Sequence, residues 1–323
     1  MFPFIFLFHY LLVYLTMANA TAKFGNKTHT QVLPTHLDIP IKEQFGFFPT
    51  SVIKPTNESK KKWKEVAYFD DGEVDVRKTS SGNEASGIQK MSEFHAGLCE
   101  NIIKYWSMNG SRIVDPFAGR VTRATISSIL GRDYYGYEIT PNTYKRALEH
   151  FKKHNINPTL YNGDGILLNE TPNEFADLVM TCPPYFNIEK YESCDGQLSD
   201  INDYSKFMEM MNTTIENCYR VLKPGAFCVW VVADFRKNMQ LIPFQSDLTQ
   251  MFMKNGFINY DLVVMENISP WASMAIAQAA YKRYTFKVHE YIMVFKKPGE
   301  YEVPDYCSMD APELKHIQNF FSF

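Results

Sequence analysis

The sequence contains no Cys-x-x-Cys pair, and its six cysteines, Cys99, Cys182, Cys194, Cys218, Cys228 and Cys307, have no histidine partners at zinc-finger spacing. A zinc site and a disulfide framework are both disfavoured on this ground, and no metal is expected. Excess charge of either sign is also missing, because 33 Lys and Arg face 36 Asp and Glu for a formal net charge of -3. Any nucleic-acid footprint must therefore be a local basic face rather than a property of the whole chain. No internal repeat is present, and no Gly-x-Gly-x-x-Gly turn, which argues against a nicotinamide dehydrogenase. What the chain does have is apolar content: 45% hydrophobic residues over 323 positions suit one large α/β domain with an appendage, or two compact lobes.

The apolar run at residues 1–20 is rich in Phe, Leu and Tyr, and the first charged residue is Lys23. Ala18 and Ala20 offer a small-residue cleavage pattern, but the basic region that precedes the apolar stretch of a secretory signal is absent. An upstream start codon, with Met17 as the true first residue, is the preferred reading, and a cytoplasmic protein with no stable membrane association is expected. Residues 21–87 form an extension of mixed Pro, Gly, Lys and Asn content. Its basic run Lys60, Lys61, Lys62 and Lys64 around Trp63 reads either as a solvated face or as a DNA-contacting segment. The Thr79-Ser80-Ser81-Gly82-Asn83 stretch marks a linker, so a main domain is expected over residues 88–300, with a tail at 301–323.

Within that domain strands alternate with helices. Phe94, Leu98, Ile102, Ile103 and Trp106 fall at helical spacing, followed by a strand at 112–115, a helix from about residue 121, a strand at 134–138, a helix at 142–153, and strands at 159–162 and 177–181. A long helix at 204–222, an apolar strand at 227–232 and a helix at 243–255 follow, and two last strands at 259–265 and 291–295 suggest an antiparallel hairpin at the edge of a mostly parallel sheet. The chemistry gathers at the carboxyl ends of these strands. Asp115-Pro116-Phe117-Ala118-Gly119 makes a glycine turn between a strand and a helix start, where free N–H groups and a positive dipole end meet a ligand. Glu138 ends the second strand, placed to accept from ribose hydroxyls. Asp164 follows the third, on the edge where an adenine amino group can be reached. At the fourth, Thr181-Cys182-Pro183-Pro184-Tyr185 fixes a rigid bend with free carbonyls. Such acceptors can draw a base amine toward tetrahedral geometry and aim its lone pair at a methyl donor, and Tyr185 can stack on a base extruded from a duplex.

These motifs, in this order, resemble those of the amino-group DNA methyltransferases, which act on cytosine N4 or adenine N6, with the phage-encoded branch most similar. The segments Phe186-Asn187-Ile188-Glu189-Lys190-Tyr191, Leu222-Lys223-Pro224-Gly225, Ala233-Asp234-Phe235-Arg236 and His289-Glu290-Tyr291-Ile292-Met293-Val294-Phe295 extend the likeness over residues 49–297. The resemblance implies a Rossmann-like fold of the S-adenosylmethionine-dependent methyltransferases, a mostly parallel seven-stranded sheet with an antiparallel edge hairpin. It implies S-adenosyl-L-methionine as cofactor, double-stranded DNA as partner, and a bacterial or phage-infected cytoplasm. It also implies cofactor roles for Phe94, Asp115, Pro116, Phe117, Gly119, Glu138 and Asp164, with Asp115 facing the methionine amino group, and a base-holding role for Thr181, Cys182, Pro183, Pro184 and Tyr185.

The chain departs from the family pattern twice. Arg120-Val121 replaces the second glycine of the cofactor turn. Cys182 stands where adenine enzymes carry Asp or Asn and cytosine-N4 enzymes Ser; as a near isostere of serine it favours cytosine N4. Because Cys182 precedes the prolines, direct transfer is favoured over a covalent cysteine adduct. The insert at 269–287, with Trp271, Tyr281, Lys282, Arg283, Tyr284 and Lys287, is the candidate DNA-reading segment, and its Met274-Ala275-Ile276-Ala277 portion reads equally as a helix packed on the core. The rival readings are adenine-N6 methylation, methylation of a protein amide, and a catalytically idle DNA-binding homologue.

Overall fold

A computed structural model describes residue 45 and residues 49–55, 57–69, 94–186, 191–266 and 272–299. The apolar run at 1–20, the linker at 79–83, residues 187–190, Trp271, Cys307 and the tail at 301–323 lie outside the described residues.

Among the described residues, an eight-stranded sheet organises the chain. Its strands in chain order are β1 (Val52–Ile53), β2 (Arg112–Asp115), β3 (Asp133–Glu138), β4 (Thr159–Asn162), β5 (Ala176–Thr181), β6 (Leu222–Val232), β9 (Ile258–Glu266) and β10 (His289–Lys296), while β7 (Phe235–Lys237) and β8 (Gln240–Ile242) form a separate hairpin. The helices are α1 (Asn57–Lys62), α2 (Ala96–Trp106), α3 (Thr122–Ile129), α4 (Pro141–Lys153), α5 (Tyr204–Val221), α6 (Phe244–Lys254) and α7 (Ala272–Tyr281). The spatial order is β1-β9-β10-β6-β5-β2-β3-β4. Strands β6, β5, β2, β3 and β4 are parallel neighbours, and β10 runs antiparallel between β6 and β9. The expected mostly parallel sheet with its antiparallel hairpin is therefore observed, with one strand more than the seven expected. That strand is β1, which pairs parallel to β9 and takes the outer edge from the hairpin.

Period-two alternation explains how the sheet divides the core. Ile113, Leu178, Met180, Val229, Val231, Ile292 and Val294 point to one face, where α2, α3 and α4 supply Leu98, Ile102, Ile103, Ile126 and Phe151. Their neighbours Val114, Val179, Cys228, Trp230, Val232, Met293 and Phe295 point to the other, against Phe207, Met211 and Ile215 of α5 and Phe244, Leu248 and Phe252 of α6. Central strands buried on both faces read as continuous apolar runs, which is what 227–232 shows in the sequence.

The extension ahead of the main domain is partly built into it. Ile53, Trp63, Ala67, Tyr68 and Phe69 are buried in the core on the α2 side. Trp63 Nε1 donates to Glu100 Oε2 at 2.7 Å, and Glu100 Oε1 receives both Lys62 and Lys104 at 2.7 Å. Trp63, at 5% exposure, therefore offers no ring to a base, contrary to the stacking reading of the basic run. Lys60, Lys61, Lys62 and Lys64 remain exposed. The Lys223-Pro224-Gly225 segment is also more structured than a plain turn. It bulges from β6 between the pairings Ala176↔Leu222 and Leu178↔Phe227, and Gly225, at φ +79°, donates its N–H to Lys297 O at 2.9 Å.

One close approach holds the carboxyl edge of the sheet together. Gly165, buried after β4, lies so near Pro116 that a β-carbon would collide with the Pro116 carbonyl oxygen, whereas a β-carbon on Gly163 would enter open space. Gly165→Ala is accordingly expected to cost about 1–3 kcal/mol of stability, and Gly163→Ala to stay within about 0.5 kcal/mol of the parent, in denaturant unfolding of the two variants.

Candidate active site

Parallel strands present their carboxyl ends together, so β2, β3, β4 and β5 carry Asp115, Glu138, Asn162 and Thr181 to one edge. This is the edge at which open α/β sheets hold ligands. Asp115 is fully buried at the tip of β2. Its Oδ1 accepts from the Thr181 hydroxyl at 2.6 Å and from the Phe117 N–H at 3.1 Å. Its Oδ2 accepts from Arg123 Nε at 2.6 Å and from the Tyr134 hydroxyl at 2.7 Å. Arg123, in the first turn of α3, also donates to the carbonyls of Phe117 and Ala118, and its guanidinium lies 5.0 Å from the Phe94 ring centroid. Burial disfavours its charge, but the Asp115 carboxylate and its hydrogen bond, together with Tyr134 and Cys182, outweigh that and raise the Arg123 pKa.

The glycine turn is pinned from both sides. Ala118 N–H donates to Tyr137 O at 2.8 Å, and Gly119 adopts φ +57° with no atom closer than 3.8 Å to a hypothetical β-carbon. An ordinary side chain would be strained in that conformation, and the N–H groups that follow open the helix. Phe117 is half-buried, its ring edge-on to Trp230 at 6.3 Å. Pro116 is buried against Gly165.

Glu138, 6% exposed, holds the end of β3. Its Oε1 accepts the Thr140 N–H at 2.7 Å. Burial pushes this carboxyl up to about 7, against bonds from Thr140 and the Gly119 backbone that pull it down. Asp164 is exposed, its Oδ1 accepting from Ile166 N–H at 2.9 Å. Gly196 approaches Asp164 Oδ2, and Cys194 Sγ meets Ile139 O at 3.8 Å, so the segment from 191 to 197 covers the flank of this edge between β3 and β4.

Cys182 and Tyr185, both half-buried, leave β5 on opposite sides of the sheet, Cys182 against the α2-side core and Tyr185 against the α5-side core. Pro183 is buried and Pro184 half-buried. Phe186, next in chain, is buried against Phe207 and Tyr204. Lys282 and Arg283 are exposed just after α7 and Lys287 is half-buried. The guanidinium of Arg236 lies 4.5 Å from the Tyr284 ring centroid, which joins that segment to the β7–β8 hairpin. Asp234 does not close a salt bridge with Arg236. It caps α6 through the Gln245 N–H at 3.0 Å and receives the Tyr291 hydroxyl at 3.4 Å.

A family model described as DNA methylase, N6_N4_Mtase, matches residues 17–149 and 176–321. The chain belongs to this DNA methylase family. It is 29% identical to Type II methyltransferase M.BglII of Bacillus subtilis over 47% of this chain and 38% of that protein. It is 39% identical to Type II methyltransferase M.BamHI of Bacillus amyloliquefaciens over 20% of this chain and 15% of that protein. Type II methyltransferase M.MjaI of Methanocaldococcus jannaschii is 27% identical over 42% of this chain and 54% of its own length. The chain thus spans about half or less of the curated relatives it matches. The strand order, with an antiparallel strand set into a parallel sheet, makes this an α/β fold with a mostly parallel sheet.

Arg123 is the site residue that reading the motifs missed. A cation in the first turn of a helix opposes the helix dipole, and α3 has no acidic residue in that turn to offset it. That placement was the available signal of a buried acidic partner. Arg123→Met, which strands the Asp115 carboxylate, is expected to destabilise the protein by about 3–5 kcal/mol. Pairing it with Asp115→Asn should cost clearly less than the sum of the single changes when thermal unfolding is followed through the double-mutant cycle.

Proposed function

We propose that this chain transfers a methyl group from S-adenosyl-L-methionine to an exocyclic amino group of a DNA base, with cytosine N4 the favoured target. The observation that carries the proposal is the hydrogen bond from Thr181 to Asp115 at 2.6 Å. It locks the strand ahead of Cys182-Pro183-Pro184-Tyr185 to the strand ahead of the glycine turn, so the two loops leave adjacent strand ends.

The residues fit this cofactor. Gly119 and Gly163 leave open space where side chains would otherwise stand, and Glu138 is a buried carboxyl at the tip of β3 suited to two ribose hydroxyls. Asp164, on the next loop, is placed for the adenine amino group. Phe117 and Pro116 line the turn, and Phe94 flanks it through Arg123. Asp115 has both oxygens filled by internal donors. Its role is therefore to hold the turn in place, and the methionine amino group is left to the backbone carbonyls nearby. The cofactor would supply a methyl group on a positively charged sulfur; displacement by the base amine would break the carbon–sulfur bond, leave a neutral thioether and release one amine proton to an acceptor, with no covalent enzyme adduct.

The protein's part is to present the amine. Its lone pair is delocalised into the ring, and acceptors on its two protons restore nucleophilicity. The carbonyls of Pro183 and Pro184 would serve as these acceptors, because two consecutive prolines carry no N–H, end the β5 ladder and hold the loop out of a helix. Tyr185 supplies the face on which an extruded base stacks, and Cys182 stands where a serine would hydrogen-bond cytosine. Lys282, Arg283 and Lys287 lie on the segment proposed to meet phosphates of double-stranded DNA.

Two outcomes test the reading. Nucleoside analysis of DNA from cells expressing the chain is expected to show N4-methylcytosine. N6-methyladenine in its place would move the target to adenine, and no methylated base would defeat the assignment. Cys182→Ser should keep methylation within about threefold of the parent, while Tyr185→Ala should lose about 100-fold or more as stacking and orientation go together.

A pH dependence follows from Glu138. The ligand-free carboxyl titrates near 7, and ribose hydroxyls bind its charged form. Affinity for S-adenosylmethionine is thus complete above 7 and should weaken by about tenfold between pH 8 and pH 6 by calorimetry. Glu138→Gln should abolish that dependence. Because an acid with a raised folded-state pKa stabilises the fold below its unfolded value and loses that contribution as pH rises through 7, the same variant should gain thermal stability at pH 8 without cofactor.

A further inference from the structure

The β7–β8 hairpin follows β6 and so projects from the same end of the sheet as the proposed base-holding loop; its first strand begins in the Ala233-Asp234-Phe235-Arg236 segment, and its turn carries no motif. Phe235 anchors its base in the core, 6.4 Å from the buried Phe186 ring that directly follows Tyr185. Lys237 Nζ lies 4.2 Å from the centroid of the same Phe186 ring. On the other face, Arg236 stacks on Tyr284 and donates through Nη1 to Met239 O at 3.1 Å. The hairpin is thus tied to the catalytic loop on one side and to the Lys282–Arg283 segment on the other.

Its tip is unusual. Asn238 and Met239 are the two central residues of the turn, at φ +50° and +68°. Positive φ at both positions is the turn form that suits a two-residue hairpin, and Asn-Gly would satisfy it with less strain. Turn chemistry therefore gives no reason for a methionine here. Met239 is 51% exposed and Leu241, opposite Arg236, is 42% exposed, so two apolar side chains stand in solvent at the end of a rigid, cationic stalk.

We propose that Met239, backed by Leu241, is a wedge that enters the stack of duplex DNA beside the target base and fills the space left when that base is extruded. The inference rests on the DNA-methylation reading above. Removing a base from a duplex leaves a gap whose collapse drives the base back, and apolar side chains on minor-groove and architectural proteins unstack base steps in this way. Arg236 and Lys237 give the tip the charge that meets the flanking phosphates. A wedge is useful only on a support that cannot recoil, which the contacts to Phe186 and Tyr284 provide.

The test compares the parent with the Met239→Ala/Leu241→Ala double variant on two duplexes containing the site read from the methylated DNA of expressing cells. In one duplex the target base is paired, and in the other it faces an abasic position, where extrusion costs little. The double variant is expected to methylate the paired duplex about tenfold or more slowly and the abasic one within about twofold of the parent, with unchanged affinity for S-adenosylmethionine. Met239→Ala alone should show the same selective loss at smaller size, which covers the case in which the double variant does not fold. Equal rates for parent and variants on the paired duplex, or an equal loss on both duplexes, would overturn the wedge while leaving the methylation reading intact. A parent that methylates neither duplex would overturn both.

Discussion

The carboxylate of Asp115 is the constraint on which the remaining architecture of this edge depends. It sits at the tip of a central strand with no solvent contact and takes four donors, one each from β3, β5, α3 and its own turn. Burying a carboxylate and a guanidinium costs several kcal/mol apiece before their attraction offsets it, and the arrangement holds only because every lone pair is filled. The return is geometric. Two loops of different origin, one from β2 and one from β5, are fixed to a single atom group, and the proposed methyl transfer would need its two reactants held to within fractions of an ångström.

Seen this way, the Arg120-Val121 departure in the cofactor turn loses much of its weight. A second glycine would let the turn approach a ligand by backbone freedom alone. Here Arg123 reaches back from the first turn of α3 to the carbonyls of Phe117 and Ala118, so the turn is shaped by a side chain that grips it. Arg120 is displaced to the side, its guanidinium 5.0 Å from the Phe69 ring centroid, and Arg146 lies 4.4 Å from the same centroid. Phe69 belongs to the segment ahead of the main domain. That segment, through Thr122 Oγ1 donating to Ala67 O and His150 Nε2 bonded to Val66 O, braces α3 and α4, the helices that follow β2 and β3.

How much could be read from the sequence depends on the range of the interaction involved. Strands β2 to β6 and helices α2 to α6 were legible because burial on one or both faces imposes a period of 2 or 3.6 on apolar residues, and glycines and prolines punctuate the ends. The hairpin from Phe235 to Ile242 was not, because its turn uses Asn238-Met239 where glycine is the usual signal. Strand β1, two residues long, carries no periodicity at all; its pairing with β9 depends on a partner more than 200 positions away. Trp63 looked available for stacking because Lys residues surround it. Its indole is instead claimed by Glu100, a partner that no local pattern announces.

The order of motifs along the chain by itself determined the family, the α/β alternation and the candidate residues Asp115, Glu138, Asp164, Cys182 and Tyr185, since strand ends and turns are written in short-range residue chemistry. Only the tertiary structure decided what each of those residues has left to offer a ligand. Whether a carboxylate meets only its own loop and the facing glycine turn, as Glu138 does, or is already saturated from four elements, as Asp115 is, depends on donors that arrive from distant strands and helices. Hydrogen-bond valence is used up in three dimensions, and a one-dimensional pattern cannot count it.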